Sequence, residues 1–229
     1  MALNSPLFCP LCLHADSSSQ QFSILAHERW PGRKYWKCPA CDLIWAEKPD
    51  HPTREAERHR YSQHRNSVES QGYREFLSRL MVPVLEILDN PLPANFRALD
   101  FGSGPEPALK MLFKEHGIKI ETHDPIFPCD VQNPVGPYDL ICCSEVVEHF
   151  RDPRKNWDFL LSLLGPTAIL AVMTQFHDEV DFNKWWYVKD PTHLAFYSTK
   201  TLRWISRHFG IQIVRLSGSI FIAKRTQSL

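Results

Sequence analysis

Two Cys-x-x-Cys pairs, Cys9/Cys12 and Cys38/Cys41, are separated by 25 residues in a chain of 229. Thiolates are soft anionic ligands, and four of them on two tight turns surround zinc tetrahedrally with no coordination position left open. Pro10 and Pro39 each follow the first cysteine of a pair, so one local pattern is repeated. A catalytic dithiol would need only one such pair. The spacing predicts a closed zinc site (Zn2+) that folds its module rather than reacts. Cys142 and Cys143 lie in an apolar run and read as buried packing thiols.

A second constellation is Leu99-Asp100-Phe101-Gly102-Ser103-Gly104, an apolar strand running into a glycine turn ahead of a helix. Gly102 and Gly104 let backbone approach a ligand, and the helix N-terminus favours polar or anionic groups. Asp124 follows about 20 residues on, past a second strand, where an acid accepts hydrogen bonds from ribose hydroxyls. Together these point to an adenosine-containing cofactor. A dinucleotide fingerprint wants glycine where Pro107 stands, which disfavours NAD and FAD. Asp100, at the strand end, suits the amino group of a methionine moiety.

These residues, with Tyr138-Asp139-Leu140-Ile141-Cys142-Cys143-Ser144-Glu145-Val146-Val147-Glu148-His149, resemble the class I S-adenosylmethionine-dependent methyltransferases. Asp190-Pro191-Thr192-His193-Leu194-Ala195-Phe196-Tyr197 resembles a D-x-x-H-x-x-x-[FY] loop of small-molecule members. The resemblance spans roughly residues 95 to 225. It implies an α/β, Rossmann-like sheet whose last strand inserts antiparallel, with S-adenosyl-L-methionine as cofactor. The cofactor set it implies is Asp100, Gly102, Gly104, Asp124, Ser144 and Glu145. Two departures stand out: Glu106 replaces the usual third glycine of the loop, and the third-strand region is short. Asp130 and Val131 remain as candidates for the adenine contact made there. The four cysteines resemble a zinc ribbon, a module that serves nucleic-acid binding, protein contacts or lidding of a site.

Methyl transfer is an in-line displacement, so the protein must hold the acceptor against the methyl in a dry, shaped site. A base is needed only where the acceptor must lose a proton. Pocket candidates lie beyond the carboxyl ends of the strands. They are His149, His193 and Asp190 as catalytic groups, with Trp185, Trp186 and Tyr187 as aromatic walls. Tyr61 and His64 would fold over the mouth. Such a pocket suits a small, planar or heterocyclic acceptor at O, N or S, a thio-substituted nucleobase among them. The alternative is an rRNA or tRNA methyltransferase docking through its ribbon. Lys plus Arg equals Asp plus Glu at 26 each, which tells against a polyphosphate partner. The cluster Arg54, Arg58, Arg60 and Arg65 tells for it, although Glu55 and Glu57 interleave. A non-catalytic protein retaining the cofactor fold is a third reading.

The elements that must position these groups fall into three expected segments: a ribbon over 1–50, a helical linker or lid over 51–93, and a cofactor-binding domain over 94–229. Residues 53–66 read as a polar helix. Tyr73, Phe76, Leu77, Leu80, Val84 and Leu88 recur at helical spacing, with a kink expected at Pro83. Strands are expected over 97–101, 118–122, 138–143 and 167–174, helices over 106–116, 153–164 and 199–209, and a terminal hairpin over 211–224. With no signal-peptide pattern and no apolar run of about 18 residues, the expected location is cytoplasmic, with no membrane contact.

Overall fold

Strands buried on both faces must be apolar at every position, and their alternate side chains must feed two separate cores. That is how this chain folds in a computed structural model, which describes residues 7–15, 21–63 and 67–225. His64, expected at the pocket mouth, and Arg65 lie outside the described residues.

The chain opens with three short strands, β1 (Ser23–Leu25), β2 (Tyr35–Lys37) and β3 (Ile44–Ala46), and helices α1 (Arg54–Ser62) and α2 (Gln71–Ile87). Then follow β4 (Ala98–Phe101), α3 (Ala108–Glu115), β5 (Glu121–His123), β6 (Tyr138–Ser144), α4 (Pro153–Ser162) and β7 (Leu164–Met173). The chain ends with β8 (Ala195–Phe196), α5 (Thr199–Phe209), β9 (Ile211–Ser217) and β10 (Ile220–Arg225).

The large sheet has the order β5-β4-β6-β7-β10-β9. β4, β5, β6 and β7 are parallel, and β10 enters antiparallel between β7 and β9. Along β6, Leu140 and Cys142 face the core made with α2 and α3, where Leu77, Leu80, Leu112 and Phe113 pack. Ile141 and Cys143 face the opposite core, with Trp157 and Leu160 of α4 and Leu202 and Ile205 of α5. Both thiols are fully buried, as their apolar run implied.

Two elements differ from expectation. The ladder of β5 starts at Glu121, opposite Leu99, rather than at residue 118. Ile118 and Ile120 are buried, but they seat the chain against the α2–α3 core before pairing begins. β7 begins earlier, at Leu164, and a register shift between Tyr138 and Leu140 accommodates Pro166 in its first turn of ladder. Pro83 sits inside α2 and is buried, so the helix runs on through it. The proline-rich stretch after Asp124 supplies no strand among the described residues, and β5 is an edge of the sheet.

The cysteine segment does not stand apart. β1, β2 and β3 form an antiparallel sheet whose fourth strand is β8, from the far end of the chain. Ile44 pairs with Phe196, and Trp45 with Ala195. Cys9, Cys38 and Cys41 share one core cluster with Trp157, Tyr197 and Leu202. Among the described residues no helix is long and apolar enough to cross a membrane.

Candidate active site

The glycine turn closes where β4 meets the exit of β6. Gly102 has φ +81, and a Cβ there would stand 2.5 Å from Val146 Cγ2. Gly104 has φ +69 but open space around it, so only its backbone conformation asks for glycine. The turn is pinned by Gly102 N–H and Ser103 N–H donating to the His123 carbonyl, at 2.7 and 3.1 Å. Asp124 Oδ2 accepts from Gly104 N–H at 2.9 Å, while Oδ1 accepts from Ile126 and Phe127 N–H. This acid therefore fixes both the turn and the loop after β5, with lone pairs remaining on its two oxygens.

Asp100 is 3% exposed. Burial, with the charge of Asp124 adding, pushes its carboxyl up to about 7. Burial, with the charges of Asp100, Glu145 and Glu106 adding, raises the phenol of Tyr73 in α2 to about 12. Tyr73 read from sequence as a core residue. Asp130 and Val131 are taken up locally: Asp130 Oδ2 accepts from Thr122 N–H and Lys110, and Val131 N–H donates to the Thr122 carbonyl.

A second cluster of polar side chains forms at the end of β6. Glu145 has φ +54, a left-handed conformation uncommon outside glycine, and its N–H donates to the Met173 carbonyl at 2.8 Å. This turn brings Glu145 and Glu148 beneath one hydroxyl: Tyr187 Oη lies 3.0 Å from Glu145 Oε2 and 2.6 Å from Glu148 Oε1. Thr174 Oγ1 is 3.2 Å from the same hydroxyl. Glu148 is fully buried, and Glu148 Oε2 and Glu145 Oε1 have no hydrogen-bond partner. Burial and the charge of Glu148 push Glu145 up to about 9, and burial raises Glu148 as well.

His149 and His193 complete the cluster, their ring centroids 4.9 Å apart. His149 Nδ1 donates to the Thr192 carbonyl at 2.9 Å, and His193 Nδ1 to the Tyr187 carbonyl at 2.7 Å. Tyr61 of α1 packs edge-on against His149 at 5.1 Å. Asp190 lies beside them, its carboxylate engaged by Arg60 at 2.9 Å and by Thr192 N–H and hydroxyl at 2.9 and 2.6 Å. Burial opposes its ionisation, but the Thr192 hydrogen bonds, the charge of His193 and Arg60 hold the carboxyl well below its usual range. Of the aromatic walls, Tyr187 is at the centre of the cluster. Trp185 is buried against Phe182 and Phe196, and Trp186 is 61% exposed beside Tyr187. Glu148 was legible only as part of the Glu-Val-Val-Glu-His stretch, and Arg60 only as one charge on a polar helix.

The two cysteine turns share one geometry. Leu13 N–H donates to Cys9 O and Asp42 N–H to Cys38 O, and both residues have positive φ, +61 and +68. Cys9 N–H and Cys38 N–H donate to the carbonyls of His14 and Leu43. The four sulfurs lie within 4.8 Å of one another, with Cys9–Cys41 at 3.6 Å and Cys12–Cys38 at 3.5 Å. A tetrahedron of bonds of about 2.3 Å has edges of about 3.8 Å, so this donor set fits zinc.

A family model described as "Methyltransferase domain" matches residues 71–216. The chain belongs to the class I S-adenosylmethionine-dependent methyltransferases. Solved structures share the fold. A SAM-dependent methyltransferase from Archaeoglobus fulgidus is 17% identical, with TM-score 0.50, over 76% of this chain and all of that one (100%). The plantazolicin methyltransferase BpumL, solved with SAH, is 10% identical, with TM-score 0.50, over 77% and 91%. The (4+2)-cyclase SpnF is 16% identical, with TM-score 0.50, over 66% and 81%. No curated protein matches the sequence.

The contrast between the two glycines of the methyltransferase is testable. Gly102→Ala combines left-handed strain of about 1–2 kcal/mol with the Val146 clash, whereas Gly104→Ala carries the strain alone. S-adenosylhomocysteine affinity measured by calorimetry should fall at least about tenfold in the first variant and distinctly less in the second.

Proposed function

We propose that this enzyme methylates a small, planar or heterocyclic acceptor held in the Tyr187–His149–His193 pocket. The observation that carries this reading is the placement of that cluster. Val146, between the cluster and β6, also meets the glycine turn at Gly102.

Asp100 suits the amino group of the methionine moiety, because it is a buried carboxylate with no donor among the described residues. Gly102 and Gly104 give that moiety backbone access, and Asp124 faces the ribose. Ser144 and Glu145 continue this wall at the end of β6. S-adenosylmethionine supplies an electrophilic methyl on a sulfonium. As the acceptor's new bond to carbon forms, the carbon–sulfur bond breaks, and any acceptor proton leaves to a base or water. The chain's part is to exclude water and aim the acceptor. His149 and His193, each held by its Nδ1–H, present Nε2 to the acceptor, with Tyr61 and Tyr187 packing beside it and the exposed Trp186 at the rim. Asp190 is a positioning residue, since Arg60 and Thr192 engage both its oxygens. A thio-substituted nucleobase fits such an aromatic pocket.

An RNA substrate is the weaker alternative. Arg60 is committed to Asp190, and Arg54 to the buried Glu57, so half of the basic cluster braces α1. We also assign a structural zinc to Cys9, Cys12, Cys38 and Cys41. Its consequence for catalysis runs through Asp42, beside Cys41. Asp42 Oδ2 accepts from the Ser198 hydroxyl at 2.7 Å, and β3 pairs with β8, which begins at Ala195, two positions after His193.

Labelled methyl from S-adenosylmethionine should enter low-molecular-mass metabolites and not RNA; label in RNA alone would reverse the assignment. The pH dependence has two opposite arms. The fold retains the Asp100 proton that the unfolded chain loses near 3.8, so apoenzyme stability should fall as pH rises toward about 7, then level. Pairing with an ammonium needs the ionised form, so cofactor affinity should rise over the same range, and Asp100→Asn should flatten both curves. Cys12→Ser should lower the thermal midpoint and bound zinc together, and should reduce methyl transfer although residue 12 is not among the residues of the acceptor cluster.

A further inference from the structure

We propose that Glu148, His149 and His193 form a second metal site, for a divalent transition-metal ion bound by one carboxylate and two imidazoles. The inference rests on the reading above that this cluster is the acceptor pocket. It adds what holds the acceptor there.

Geometry comes first. One ligand atom from each of the three residues lies within 4.8 Å of the others, and His149 Nε2 is 4.0 Å from Glu148 Oε1. Bonds of about 2.1 Å to a common ion put ligand atoms about 3–3.5 Å apart, so side-chain movements below about an ångström close the site. Both imidazoles donate Nδ1–H to backbone carbonyls. That outer contact fixes the tautomer, aims the ring and leaves the lone pair on Nε2, the arrangement characteristic of metal-ligating histidine.

The carboxylates supply the independent observation. Glu148 is fully buried, and its Oε2 has no hydrogen-bond partner; neither has the buried Oε1 of Glu145, joined to Glu148 through the Tyr187 hydroxyl. No lysine or arginine among the described residues forms an ion pair with either carboxylate. A buried carboxylate pair without a cation is costly, and an ion between Glu148 and the imidazoles relieves that cost. Donors of this kind suit zinc, iron(II), cobalt(II) or manganese(II). The cysteine site instead offers four thiolates and is closed. Three protein ligands leave positions open, so the class of acceptor implied is one carrying a hydroxyl. Its oxygen binds the ion, its proton leaves to water, and the oxygen then takes the methyl as the carbon–sulfur bond breaks.

Manganese(II) separates the two sites, because it prefers oxygen and nitrogen to thiolate. Protein carrying one zinc per chain is titrated with Mn2+ and free ion is read by its paramagnetic resonance signal. One Mn2+ site is expected, weakened at least tenfold in Glu148→Gln and in His193→Ala, with zinc content unchanged. Retained S-adenosylhomocysteine binding certifies that each variant is folded, and Glu148→Gln keeps the side-chain volume should His193→Ala fail. Absence of a Mn2+ site in the wild-type protein, or affinity unchanged in the folded variants, overturns the proposal. Because the readout is metal binding, a methyl acceptor that proves to be RNA would refute the small-molecule reading and leave this result standing.

Discussion

Two residue pairs join the halves of this molecule. Ile44 lies opposite Phe196 and Trp45 opposite Ala195, so the antiparallel sheet begun at the N-terminus is finished by a strand from near residue 195. Ala46 N–H extends the contact to the Leu194 carbonyl, and Leu194 N–H donates in turn to Glu148 O. His193 therefore stands on a segment clamped between the small sheet and the end of β6. A two-residue strand is too short to hold itself, so its position depends on the sheet that receives it.

Further donors from the N-terminal segment reinforce that clamp. His27 Nε2 donates to the Trp185 carbonyl, Trp30 Nε1 to Val188 and Arg33 to Pro191, at 3.0, 2.9 and 3.0 Å. Glu28 N–H donates to Asn183 at 3.0 Å. The loop between β7 and α5 carries buried backbone carbonyls that would otherwise go unsatisfied. On the opposite flank, Glu57 of α1 takes a 2.7 Å contact from Arg151, and Arg60 reaches Asp190. The cysteine segment thus serves as a wall for the loop that carries His193.

Buried charge gives the other organising constraint. Asp100, Glu145 and Glu148 are drawn into low-dielectric surroundings around the turn of β4 and the end of β6, with no lysine or arginine ion pair among the described residues. Stability alone would favour apolar side chains there, since a buried unpaired carboxylate costs more than its packing returns. Left-handed backbone at Glu145 adds to that cost. Expensive features gathered in one place are the physical signature of a binding site.

Local chemistry made much of this legible from the sequence. Short apolar runs placed β6 and β7, the Ser217-Gly218 turn placed β10, and the glycines with Asp100 formed the turn read as a cofactor site. Four cysteines on repeated turns read as a metal site, and the fold brings them together; each such signal is carried within a few consecutive residues. The start of β5 was misplaced, because burial of Ile118 and Ile120 mimics a strand before the ladder begins. Glu148 and Asp42 gave no signal of their own: each works through a partner distant in the chain, Tyr187 and Ser198 respectively. Sequence by itself determined the class of fold and the methyl donor, which depend on short-range backbone and side-chain pattern. Only the tertiary structure decided that the cysteine segment and the His193 loop share one sheet, because strand pairing across that distance leaves no local trace.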